Sequence, residues 1–309
     1  MKKILISILL FLSAVSSLYA ENPKMKILTT TEDLKSIAEY IGGNKVTVDS
    51  LARGNQDPHY LEAKPSFMMK AKNADLFIRV GLELEIGYEE LIIDGSRNQK
   101  IRISHPGHLD VSEGVSLLEV PTTTKVDRSM GDVHPMGNPH YWLDPENARI
   151  VARNITNRLS GFSPENTGYF QENLKVFDKK MDEKMAEWNK KMAPFRGKKI
   201  AIYHRSWPYF ADRFGLIVAC ELEPKPGIPP SPAHLKEVID IMKRDKIKVI
   251  LMEVFYDEKP AQFVAAETGA KVVIVPNSVG GTKEAKDYFC LMDTIIDSLV
   301  GALSSSGRE

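Results

Sequence analysis

The sequence predicts an α/β fold: two (βα)4-type lobes with parallel sheets, joined by one long backbone helix. Three observations carry this. Short apolar runs alternate with helical patterns in two separate sets, one before and one after residue 160. That alternation is the pattern of parallel strands covered on both faces by helices. Between the sets, apolar residues recur at Phe170, Leu174, Phe177, Met181, Met185, Trp188 and Met192, with gaps of 4, 3, 4, 4, 3 and 4. Such gaps place all seven on one stripe of a single amphipathic helix. Finally, His59, His204, Glu253 and Asn277 fall after predicted strands, where open α/β sheets bind ligands, and His140 enters from the end of the first half.

Met1–Ala20 stands apart from the fold. Lys2 and Lys3 open it, Ile4 to Leu12 is almost wholly apolar, and Ser17-Leu18-Tyr19-Ala20 offers a small-residue cleavage site. This reads as a secretory signal peptide, shorter than a membrane span. No cysteine stands directly after Ala20, so no lipid anchor is expected. No later stretch reads as long and apolar enough to cross a bilayer. The expectation is a soluble, exported, periplasmic protein. Removing Lys2 and Lys3 from the 41 basic residues leaves 39 against 41 acidic ones, so no electrostatic footprint for nucleic acid exists.

The N-terminal lobe is assigned to residues 21–160. Its strands are Ile27 to Thr30, Val46 to Leu51, Leu76 to Val80 and Ile101 to Ser104; helices are read at Asp33 to Ile41, ended by Gly42-Gly43, and at Pro65 to Ala71. Gly107 to Gly137 is an irregular connection of a length that is uncommon unless it serves function. Asp144-Pro145 then begins a helix to Leu159, an N-cap followed by proline at the first helical position.

The connecting helix is assigned to residues 161–196. Ser163-Pro164 starts it and Pro194 and Gly197 end it; about 30 residues at 1.5 Å each reach roughly 45 Å. The aromatic and methionine stripe reads as core packing of a stiff spine.

The C-terminal lobe, residues 197–309, repeats the alternation. Strands are read at Lys199 to Tyr203, Ile217 to Leu222, Val249 to Met252 and Val272 to Val275, and helices at Pro232 to Arg244, Pro260 to Thr268 and Asp287 to Leu303. Cys220 and Cys290 both lie here. They admit one disulfide or two separate buried thiols, and the sequence leaves both open.

Asn138-Pro139-His140-Tyr141-Trp142-Leu143-Asp144-Pro145 organises the chemistry. Its prolines fix φ and remove donors, giving a stiff loop that presents His140. Asp57-Pro58-His59-Tyr60 has the same build, and His204 directly follows the run Ile200-Ala201-Ile202-Tyr203. Each histidine alone is an ordinary residue. Together they predict three imidazoles on one divalent metal ion. Neutral imidazole suits zinc in a four-coordinate site, which leaves one position for a carboxylate or water. Glu253 and Asn277, both after predicted strands, are the protein candidates. Glu253 has a second reading as an acceptor that orients a histidine. His105 and His108 are read as flanking a turn, His134 as a solvated loop residue with transient metal capture as the alternative, and His234 as structural or surface.

These motifs resemble the metal-binding solute-binding proteins of ABC importers for zinc and manganese, the cluster A-I group, over essentially the whole mature chain. The Asp57-Pro58-His59 loop with Pro65-Ser66 and Asn73-Ala74-Asp75-Leu76 is similar to the family's first ligand segment. Pro139 to Pro145 is similar to the second. Tyr203-His204 with Tyr209-Phe210 and Phe214-Gly215 is similar to the third. The resemblance implies His59, His140 and His204 as ligands, an ion held between the lobes, and delivery to an inner-membrane ABC permease by a protein expected to be a monomer. A histidine as third ligand, where some manganese binders carry glutamate, implies zinc, with manganese or iron as the alternative cargo. Two departures matter. Asn277 stands where the family usually supplies an aspartate, which brings Glu253 forward as fourth ligand. The long His-rich loop of many zinc importers is reduced to His134. A zinc hydrolase also fits three histidines and an open position, with Glu253 as general base. The chain, however, has no His-Glu-x-x-His helix and no nucleophile elbow.

Overall fold

The computed structural model describes residues 23–121, 134–225 and 227–305; the predicted signal peptide lies outside them. Two four-stranded sheets form, and every strand pairing is parallel. In the N-terminal lobe β1 (Met25–Thr29), β2 (Val46–Ser50), β3 (Leu76–Arg79) and β4 (His108–Asp110) run in the order β2-β1-β3-β4. In the C-terminal lobe β5 (Lys199–Ile202), β6 (Ile217–Glu221), β7 (Val249–Glu253) and β8 (Lys271–Val275) run in the order β6-β5-β7-β8. The two lobes therefore share one topology, although their sequences do not visibly repeat. β7, an inner strand of the C-terminal sheet, is buried at all five positions. That accords with a near-continuous apolar run in a sheet covered on both faces.

The helices are α1 (Glu32–Gly42), α2 (Pro65–Lys72), α3 (Glu89–Ser96), α4 (Pro145–Phe162), α5 (Thr167–Met192), α6 (Pro208–Phe214), α7 (Pro232–Arg244), α8 (Lys259–Thr268) and α9 (Tyr288–Ser305). Their ends follow local chemistry. Thr31 caps α1 by accepting from Leu34 N, Asp144 caps α4 by accepting from Glu146 N, and Ser231 caps α7 by accepting from His234 N. Gly215 and Gly269 end α6 and α8 in the left-handed conformation, at φ 72° and 66°, which glycine adopts without a Cβ penalty.

The spine is α5, with 26 residues. It is shorter than predicted because a 3-10 turn closes each end, at Pro164–Asn166 and Ala193–Phe195. Phe170, Phe177, Met181, Met185, Trp188 and Met192 are buried as the stripe predicts, and Leu174 is partly buried against the same core. One hydrophobic cluster runs from Ile27 of β1 through Phe177 and Trp188 to Leu299 of α9. The lobes are thus welded through shared core rather than hung from a free linker. Asn173 donates to the Ile41 carbonyl on one side, and Lys184 and Trp188 both bond Asp293 of α9 on the other.

Two expectations change and one open question is closed. The predicted strand at Ile101 to Ser104 is a 3-10 turn, Gln99–Ile101, capped by Asn98 accepting from Lys100 N; Ile101 is buried, but as a single plug in the core. The fourth strand lies later, with Phe77 paired to His108. Its apolar content is one leucine, too little to signal a strand. Second, α9 is long and apolar enough by composition to cross a membrane. Here Leu291, Met292, Ile295, Ile296 and Leu299 pack into the core instead, while Asp293 and Asp297 pair with Lys184 and Lys191 of the spine. Third, Cys220 and Cys290 are separate free thiols, the first buried in β6 and the second partly buried on α9.

Candidate metal centre

Asp57 and Asn138 build the two loop histidines by the same device. Asp57 Oδ1 accepts from His59 N at 3.0 Å and lies 2.7 Å from His59 Nδ1. Asn138 Oδ1 accepts from His140 N at 2.9 Å and lies 2.9 Å from His140 Nδ1. Asp and Asn side chains readily close such turns on the residue two ahead, and the intervening Pro58 or Pro139 stiffens each loop. His204 leaves β5 and places Nδ1 2.7 Å from Glu223 Oε2, just past the end of β6. All three rings thus have Nδ1 turned to an acceptor. In the neutral tautomer this leaves the Nε2 lone pair free for a cation.

Those rings converge. The ligand atoms of His59, His140 and His204 all lie within 4.8 Å of one another, the one such group of histidine, cysteine or carboxylate donors among the described residues. Ring centroids are 5.1, 5.5 and 5.3 Å apart. His59 Nε2 is buried without a hydrogen-bond partner, an orphan that a bound cation would satisfy. His140 and His204 are each only 3% exposed.

The convergence is built across the lobes. The Asn138 amide donates to the Arg205 carbonyl at 2.8 Å, next to His204. Tyr209 OH donates to the Asn138 carbonyl at 2.9 Å and accepts from Leu118 N at 3.0 Å, pinning the loop that carries His140. From the C-terminal lobe, Tyr256 OH donates to Asp57 Oδ2 at 3.1 Å, so the carboxylate that holds His59 is itself held from the other side.

Glu253 ends β7, is fully buried, and has both carboxylate oxygens without a partner. It stands outside the trio's 4.8 Å set. Burial raises its pKa to about 7, against the lowering pull of His204. For His204 burial lowers the pKa, but the Glu223 hydrogen bond and the charges of Glu253, Glu223 and Asp57 prevail and raise it to about 9. His140 is held well below the ordinary imidazole value by burial, reinforced by His59, His204 and His134. Asp57 loses part of its lowering to burial, yet His59 still draws it down to about 2. Asn277 is buried with Oδ1 unpartnered, and its carbonyl accepts from Trp142 Nε1 at 2.9 Å.

Of the remaining histidines, only His134 departs from the sequence reading. His108 belongs to β4, buried, with Nε2 2.6 Å from Glu89. His234 is structural, its Nε2 3.0 Å from the Glu221 carbonyl. His134 is packed beside His59, ring centroids 5.4 Å apart, rather than solvated.

Residues 27–302 match the family described as zinc-uptake complex component A, periplasmic. The chain belongs to this family. Its members are metal-binding components of importers, not enzymes, and this removes the hydrolase reading. The manganese ABC transporter substrate-binding lipoprotein PsaA of Streptococcus anginosus is 26% identical over 98% of this chain and 100% of its own length. The metal ABC transporter substrate-binding lipoprotein SloC of Streptococcus mutans is 26% identical over the same shares. Among solved structures, a crystal structure of ZnuA superposes with a TM-score of 0.77 at 25% identity, covering 91% of this chain and 99% of that one. A manganese-bound periplasmic metal-binding protein from Candidatus Liberibacter asiaticus has the same fold, with a TM-score of 0.74 over 91% of this chain and all of that one. This chain is therefore an extracytoplasmic substrate-binding protein of a metal ABC importer, which binds a divalent metal ion and delivers it to a permease.

Proposed function

We propose that the cargo is zinc, held by His59, His140 and His204 with Glu253 as the carboxylate donor. What supports this is the donor set: three imidazole nitrogens within 4.8 Å of one another and no carboxylate in that group. Nitrogen-rich sites favour zinc, whereas manganese favours oxygen. Asn277, an amide where the family usually has aspartate, removes a further anionic oxygen. Glu253 closes the shell from the end of β7 and offsets part of the ion's charge. Manganese is the second reading, since the related PsaA is named a manganese transporter component.

The same reading takes Met1–Ala20 as a cleaved signal peptide, residues 21–160 and 197–309 as the lobes, and 161–196 as the connecting segment. It takes the protein as a periplasmic monomer; the related PsaA and SloC are named lipoproteins. Because the spine shares its core with both lobes, ion release proceeds by movement of the ligand loops.

Titration of the apo-protein with zinc and manganese in competition tests the proposal. One zinc per chain is expected, displaced by manganese only in large excess, and no tight zinc binding in a His59→Ala, His140→Ala, His204→Ala triple variant. Preference for manganese, or unchanged stoichiometry in the triple variant, would overturn it. Glu253→Gln is expected to weaken zinc binding and keep the stoichiometry.

A further inference from the structure

We propose that Tyr256 is a positioning residue for the bound ion: from the C-terminal lobe it latches the His59 loop in place through Asp57, and so sets the rate of release. The assignment rests on the three-histidine reading above. Asp57 divides its carboxylate between two tasks. Oδ1 accepts from His59 N at 3.0 Å and lies 2.7 Å from His59 Nδ1, while Oδ2 accepts from Tyr256 OH at 3.1 Å. Asp57 and Tyr256 are 199 positions apart and belong to opposite lobes, so their bond exists only while the lobes stand together. A carboxylate fixed at both oxygens keeps one orientation, and so does the imidazole bonded to it.

The phenol is set in advance for this contact. Its ring stacks on Tyr203, with centroids 4.7 Å apart and planes 21° from parallel, and lies 5.8 Å from the ring of His204. Tyr203 is itself fixed, buried and donating its N–H to the Leu251 carbonyl at 2.9 Å. The three ligands are not held alike. The His140 loop is pinned by Tyr209 and by the Arg205 carbonyl, and Tyr141 OH adds a bond to the Val80 carbonyl at 2.6 Å. His204 leaves β5 directly and has buried Glu223 behind it. His59 is the member of the trio that is not fully buried. It sits in a 3-10 turn, Pro58–Tyr60. There Gln56 N donates to the Arg53 carbonyl and Tyr60 N to the Asp57 carbonyl, bonds within the loop itself. Tyr256 OH supplies a hold from outside. When that bond breaks, the Asp57–His59 unit swings away first and leaves the ion on the more buried pair.

Tyr256→Phe removes one oxygen and leaves the stacked ring. Stopped-flow transfer of zinc from the loaded protein to an excess of chelator reads the effect. Release is expected to quicken about 10–100-fold, with little change in the association rate and one zinc still bound per chain. Asp57→Ala removes the carboxylate through which the hydroxyl acts, so adding Tyr256→Phe to that variant is expected to change release no further. A merely structural role for Tyr256 would instead give the same effect with and without Asp57. That result, or wild-type release in Tyr256→Phe, would overturn the inference and leave the three-histidine site standing. Zinc binding that survives the His59→Ala, His140→Ala, His204→Ala triple variant would overturn both.

Discussion

At His204, Glu223 lies 2.7 Å from Nδ1, and this contact decides both which nitrogen is left free and how the ring is oriented. The same holds for Asp57 at His59 and Asn138 at His140. These three partners are what the reading of the residues missed. Two of them were within reach of it: Asp57-Pro58-His59 and Asn138-Pro139-His140 share one Asx-Pro-His pattern, and an Asx side chain bonding two residues ahead is a local, sequence-readable event. Glu223 carried no such signal, because β5 and β6 must pair before residues 19 apart can meet. Glu223→Ala is expected to lower zinc affinity about 10–100-fold while keeping one zinc per chain. Competition with a chelator of known affinity measures it, and an unchanged constant would remove Glu223 from the account.

Among the elements, α5 tests how much the spine contributes. Phe177 is 1% exposed, and its ring meets Tyr40 of α1 and Phe289 of α9, with centroids 5.2 Å away in both cases. It therefore bridges helices of both lobes. Phe177→Ala should cost about 3–5 kcal/mol of stability, read by urea unfolding of the apo-protein as a lower midpoint. A cost under about 1 kcal/mol would mean that the lobes hold together without the spine. The stripe of α5 was legible because a period near 3.6 over seven positions leaves no other structure. β4 was not legible, since three residues with one leucine carry no period at all. Its place comes from Gly107 accepting Phe77 N and from the pairing of His108 with Phe77.

For the whole molecule, the lobes also meet in the loop after β8. Asp33 of α1 is fully buried and accepts from Ser278 Oγ and from Val279 N, the latter at 2.9 Å, in the loop after β8. Gly54 packs against the same loop so closely that a Cβ there would meet the Val279 carbonyl at 2.0 Å. Burial raises the Asp33 pKa from 3.8 to about 7, with the Ser278 and Val279 bonds pulling the other way. Between those values the folded protein keeps the proton and the unfolded chain has lost it. Raising pH therefore favours unfolding: the contribution is complete below about pH 4 and gone above about pH 7. Asp33→Asn should flatten that part of the stability–pH profile of the apo-protein, measured by thermal unfolding. An unaltered profile would show that Asp33 does not titrate in this window.

The amino-acid order alone determined the alternation of strands and helices, the spine and the three histidines, because periodicity, proline stiffening and Asx turns act over a few neighbouring residues. What required the tertiary structure was the meeting of His59 and His140 with His204, the turn of Glu223 toward the last of these, and the packing of His134 beside the site. Each depends on which strand ends the parallel sheets bring together and on how a shared core sets one lobe against the other, and no local pattern encodes a distance between residues 145 positions apart, such as His59 and His204.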